Sequence, residues 1–213
     1  MGWFGLSHPS IRKAIDMKTP VELCNDALRI LGLRPDCTNL DHPISQSDKV
    51  FAAYYAQTRR KVIKLVRPRF ACVESYALLG TPVDPTDPDG EIKFYKPQDC
   101  LYIQKVDRRD DFTEYGREIA VSRIIHDKTI YLNYVRDVAD TGLWTDEFDE
   151  LMSAALAKKA CQFLTKDSTA KQVADAEYQT QLASFNALNV RDAKIKKKHY
   201  RLEKQVWPFP WRY

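Results

Sequence analysis

Apolar positions recur at helical spacing near the start of the chain, at strand spacing in the middle, and at helical spacing again towards the end. In TPVELCNDALRILG, Val21, Cys24, Ala27, Leu28 and Leu31 repeat at three and four, with Thr19 placed to cap, Pro20 at the first helical position, Glu22 closing a capping box and Gly32 ending the run. A second capping box, Ser45 with Asp48, opens a helix expected to reach Val66 before Pro68, with Phe51, Tyr54, Thr58, Val62 and Leu65 as its inner stripe. The period then falls to two in FACVESYAL, EIKFYK, CLYIQKV, REIAVSRII and TIYLNYV, which predicts a small antiparallel sheet over about residues 70–136. Its last two strands are expected to form a hairpin around Asp127. Thr145 caps a third helix whose stripe is Phe148, Leu151, Met152, Ala155, Leu156, Ala160 and Phe163, and Tyr178, Leu182 and Phe185 mark a fourth.

The expected fold is therefore α+β. A four-helix bundle (19–32, 46–66, 145–165, 169–188) has the sheet inserted between its second and third helices. An N-terminal extension covers 1–18, the main domain 19–190 and an extended arm 191–213, the arm because its last seven residues, WPFPWRY, hold two prolines. At 213 residues and 44% hydrophobic the chain can bury one domain core, and no run is long and apolar enough for a membrane-spanning helix.

Charge divides the molecule. The net +4 hides an arm with eight bases and two acids, net +6, on a body of 25 bases and 27 acids, net −2. Within the body, Lys49 to Arg69 holds seven bases and no acid, and Arg60, Lys64 and Arg67 fall on one helical face. The five cysteines are scattered, without a CxxC pair, and read as reduced packing thiols of a protein assembled in a cytoplasm. The first residues carry no secretory h-region, and Trp3, Phe4 and Leu6 suggest a small anchor.

Chemistry-bearing patterns are missing. The seven glycines form no phosphate loop or dinucleotide fingerprint, the four histidines make no HExxH, and no GxSxG occurs. Asp84, Asp87, Asp89 and Gly90 resemble a calcium loop only in part, because Pro85 and Lys96 occupy ligand positions. The acids of DEFDE (146–150) suit a helix N-terminus without a catalytic role. Neither enzyme, cofactor nor metal site is expected.

Four segments in fixed order resemble the head-to-tail adaptor family of short-tailed bacteriophages, the tail tubular protein A type. The family's N-x-A-L-x-x-L-G is matched by Asn25-Asp26-Ala27-Leu28-Arg29-Ile30-Leu31-Gly32. Its R-D-x-L-L-x-x-H-P-W-x-F-A is matched by RRKVIKLVRPRFA (59–71), which keeps Pro68, Phe70 and Ala71. Its Y-x-L-P-x-D-C-L resembles Phe94-Tyr95-Lys96-Pro97-Gln98-Asp99-Cys100-Leu101, and its late motif is similar to 131–157 through Val135, Asp140, Trp144, Phe148 and Leu151. Lys96 stands where the pattern is apolar, and the H-P-W is replaced around Arg67 and Arg69.

The resemblance covers about residues 19–189. It implies a virion structural protein of the neck: a ring, usually a dodecamer, between the portal protein and the tail nozzle protein, with double-stranded DNA passing through its lumen. Assembly would take place in the host cytoplasm. On that reading Arg60, Lys64 and Arg67 face protein in preference to DNA, since strong phosphate binding would oppose ejection; a solvated helix face is the alternative. In the arm, Lys194, Lys196, Lys197, Lys198 and Arg201 supply charge, and Trp207, Phe209, Trp211 and Tyr213 alternate so that an extended chain presents them on one side to the portal, the nozzle or a neighbouring subunit. Folding back on the body and lying on a membrane surface are the other readings of the arm. From another class, the same basic helix and tail suit a nucleic-acid-binding protein.

Overall fold

The computed structural model describes residues 17–79, 91–106, 112–122, 129–165 and 167–205, the side chains of Glu91, Ser122 and 190–205 excepted. Helix α1 (Pro20–Ile30) begins with the expected box: Thr19 Oγ1 accepts the Glu22 amide at 3.3 Å and the Glu22 carboxylate accepts the Thr19 amide at 2.6 Å. Gly32, at φ +68°, turns the chain out of the helix. Helix α2 (Gln46–Val66) starts with the second box. The carboxylate of Asp48 also accepts backbone N–H groups from Thr38, Asn39 and Ile44, so one side chain both caps α2 and folds the loop that leads to it. Burial opposes the charge of Asp48, but these donors outweigh it and hold the carboxyl well below the usual range. Arg67 ends α2 in the left-handed region at φ 49°, and Pro68 prevents continuation.

Six strands follow: β1 (Cys72–Leu79), β2 (Glu91–Tyr95), β3 (Cys100–Val106), β4 (Thr113–Tyr115), β5 (Glu118–Ser122) and β6 (Thr129–Arg136). They make two three-stranded antiparallel sheets, β1-β6-β3 and β2-β5-β4, where one was expected. The hairpin expected around Asp127 does not form: β5 and β6 lie in different sheets, and residues 123–128 between them are outside the described residues. The hairpin is instead β4–β5, closed by Gly116 (φ +56°) and Arg117 between paired Tyr115 and Glu118. Inner faces of the two sheets share an apolar core of Leu78, Ile92, Phe94, Ile103, Val106, Ile119, Val121, Ile130, Leu132 and Tyr134.

Helix α3 (Asp146–Leu164) packs against α1, α2 and α4, and from Leu151 to Ala157 every residue is buried. Its position at the centre of the helices explains the small residues Ser153, Ala154, Ala155 and Ala157. Helix α4 runs from Ser168 to Gln205. This corrects the expected end at Leu188: the first part of the predicted extended arm is helical. Loss of the apolar stripe after Phe185 ended the expected helix, yet the following Lys, Ala, Leu and Arg residues are good helix formers and include neither Gly nor Pro. Two stripe positions are also corrected. Leu65 and Phe163 are exposed, at 56% and 46%, because α2 and α3 meet through Phe51, Tyr55, Val62, Ile63 and Val66, a face rotated from the expected one. No helix among the described residues is long and apolar enough to cross a membrane.

Candidate docking surface

The acid-free half of α2 finds its acid elsewhere in the chain. Arg59, nearly buried, donates from Nε and Nη2 to the two carboxylate oxygens of Asp137, each at 2.8 Å, and Arg60 adds a third bond from Nε at 2.8 Å. Asp137 follows β6, and its amide donates at 2.7 Å to the carbonyl of Asp99, whose side chain accepts from Tyr134 Oη at 3.2 Å. Burial raises the cost of ionising Asp137, but the two guanidinium groups more than compensate and keep it below the ordinary carboxylate range. The helix is thereby clamped to the sheet.

Arg67 is not part of a continuous helical stripe. As the left-handed cap it swings its guanidinium to 4.0 Å from the centre of the Tyr102 ring on β3. Lys64 is exposed on the last turn of α2. The structure therefore brings Arg60, Lys64 and Arg67 to one end of α2 but commits Arg60 and Arg67 to contacts within the chain. Lys194, Lys196, Lys197, Lys198 and Arg201 fall on the helical backbone of α4; Trp207, Phe209, Trp211 and Tyr213 lie outside the described residues, as do Trp3, Phe4, Leu6 and the turn at 84–90.

Two surface features escaped the sequence pattern. Tyr54 of α2 stacks on the exposed Phe163 of α3, with centroids 4.8 Å apart and planes 17° from parallel, and Lys159 lies over both rings at 4.6 and 5.6 Å. With exposed Leu65 on the same helix, this gives the edge of α2 and α3 an aromatic and cationic surface, where the pattern had assigned Leu65 and Phe163 to the core and half-buried Tyr54 still packs against it. The second is a groove of about 380 Å³ lined by Pro68, Arg69, Phe70, Thr145, Glu147, Phe185, Leu188 and Asn189, between the exit of α2 and the stretch of α4 that passes the start of α3.

One acid of DEFDE departs from its expected role. Asp146, Glu147 and Glu150 are exposed, whereas Asp149 is buried, and its Oδ1, Ser153 Oγ and Tyr55 Oη have no hydrogen-bond partner. Burial pushes the Asp149 carboxyl up to about 6. No group of three His, Cys, Asp or Glu side chains among the described residues is placed to hold a metal ion. No protein-family model matches the chain, and no curated protein matches it.

Proposed function

We propose that the chain is a head-to-tail adaptor of a short-tailed bacteriophage, a non-enzymatic ring subunit between the portal and the tail nozzle. The observation that supports this reading is that residues of the second, third and fourth motif segments touch one another. Phe70, from the second segment, packs edge-on against Phe148, from the fourth, with centroids 5.0 Å apart, and Trp144 meets the same ring at 4.8 Å. The Trp144 indole donates to the Val138 carbonyl at 3.2 Å, and Asp99 of the third segment accepts the Asp137 amide that lies beside α2. Asn25, from the first, holds the backbone of Cys37 by two 3.0 Å bonds. These motif residues thus pack and hydrogen-bond within the framework of the chain, as expected of a structural signature rather than a set of reactive groups.

In this reading α1 to α4 form a four-helix bundle that packs side by side with copies of itself, usually twelve. Tyr54, Phe163 and Lys159 offer an aromatic face to a neighbour, and double-stranded DNA passes through the lumen. Lys194 to Arg201, with the aromatic residues beyond, reach the portal, the nozzle or the next subunit.

Negative-stain electron microscopy of the protein mixed with the portal ring of the same phage tests the assignment. A new layer on the distal face of the portal is the expected result. No added layer at saturating protein, together with salt-sensitive binding of free duplex DNA by the monomer, would overturn it in favour of a nucleic-acid-binding protein.

A further inference from the structure

Cys24 and Cys37 are both buried, in a chain whose cysteines are all free thiols. They come from different pieces of backbone: Cys24 from the second turn of α1, Cys37 from the loop that leads to α2. The loop is pinned on both sides of Cys37. Asn25 Oδ1 accepts the Cys37 amide and Asn25 Nδ2 donates to the Cys37 carbonyl, each at 3.0 Å. Asp48 takes the amides of Thr38 and Asn39 at 2.9 and 3.4 Å. This clamp holds the loop backbone at side-chain hydrogen-bonding distance from α1, beside Cys24, and both cysteines lie in the same buried core.

We infer that Cys24 and Cys37 are a covalent modification site, a pair that a two-electron oxidant converts to a disulfide stapling the interhelical loop to α1. The proposal is independent of the adaptor assignment. A disulfide needs two sulfurs presented to each other with their backbones already close, and the clamp through Asn25 supplies that approach before any oxidant arrives. Interaction with Cys37 and burial push the Cys24 thiol far above its ordinary range. Cys37, on the loop, becomes reachable when the segment between Leu33 and Ile44 opens locally.

With diamide as oxidant, the Cys37 sulfur adds to one nitrogen of the N=N bond, forming an S–N bond while the other nitrogen takes a proton. The Cys24 sulfur then attacks the Cys37 sulfur; the S–S bond forms, the S–N bond breaks, and the hydrazine leaves with the second hydrogen. Both thiols are oxidised and diamide is reduced by two electrons.

Purified full-length protein is treated with diamide or with dithiothreitol, blocked with N-ethylmaleimide in denaturant, and digested without reduction for mass spectrometry. The expected product is a cross-linked peptide joining Cys24 to Cys37, with Cys72, Cys100 and Cys161 alkylated. The oxidised protein should melt about 5–10 °C higher than the reduced one, the scale expected for closing a short loop in a domain of this size. Cys37→Ser, or Cys24→Ala if the first variant does not fold, should abolish both the cross-link and the gain. Recovery of Cys24 and Cys37 as maleimide adducts after diamide treatment, or cross-links that join them only to other cysteines, would overturn the proposal.

Discussion

The helical region and the β region each have a core of their own, and they hold together by different means. The helical core combines apolar burial with placed polar bonds: two capping boxes, the Asp48 cluster and the buried pairing of Arg59 with Asp137. The β region relies on contact between two thin sheets, with Tyr76, Tyr95, Tyr115 and Tyr131 left on its outside. Polar bonds of fixed geometry specify one arrangement, whereas an apolar sandwich tolerates adjustment; the first suits a frame and the second an insert that can conform to what it touches.

The largest test of this contrast removes one ring from each core. Phe148 is fully buried and meets Phe70, Trp144 and Phe185 edge-on, so Phe148→Ala should cost about 3–5 kcal/mol in urea unfolding and raise amide exchange throughout the helices. Ile119→Ala, in the other core, should cost about 2–4 kcal/mol and raise exchange in β2, β5 and β6 while α3 stays protected. Equal exchange everywhere in both variants would show one cooperative unit instead of two.

The next effect concerns the clamp between the regions. Arg59→Ala strands a mostly buried carboxylate and should cost about 2–4 kcal/mol. Arg60 binds the same carboxylate from an exposed position, and Arg60→Ala should cost under about 1 kcal/mol by the same denaturation measurement. Equal losses would mean that burial does not rank the two arginines.

The last effect is a pH dependence within the frame. The folded state holds Asp149 protonated up to about pH 6, while the unfolded chain releases that proton near pH 4. Between these values the folded state binds more protons, so the contribution of Asp149 to stability falls as pH rises and the penalty is complete above about 6. Asp149→Asn should therefore stabilise the protein by about 1–2 kcal/mol at pH 7.5 and give no gain at pH 4, measured as thermal unfolding against pH. A gain independent of pH would assign the effect to packing.

The helix starts were legible because caps are local chemistry: Thr19 with Glu22, Ser45 with Asp48, and Thr145 act within one turn. The far end of α4 was not, because a helix continued by propensity alone shows no apolar stripe to follow. Strand content was visible in the alternation, but the division into two sheets was not, since nothing local in REIAVSRII or TIYLNYV records that β5 pairs with β2 and β6 with β1. The basic face of α2 was visible as composition; the use of Arg59 and Arg60 depended on Asp137, far along the chain, and that of Arg67 on Tyr102. The exposure of Leu65 and Phe163 depended on which side of α2 received α3, a rotation that helical periodicity leaves free by about a third of a turn.

The central place of α3 also governs the order in which the molecule can be made. Helices α1 and α2 leave the ribosome with Leu23, Leu28, Phe51 and Ile63 facing a partner encoded about a hundred residues after α1. The β insert can complete its own pairings as soon as β6 has emerged, so it folds while the helical frame is still open. Closure of the frame then waits for α3, and a chain truncated before Asp146 would carry the insert on two uncovered, aggregation-prone helices.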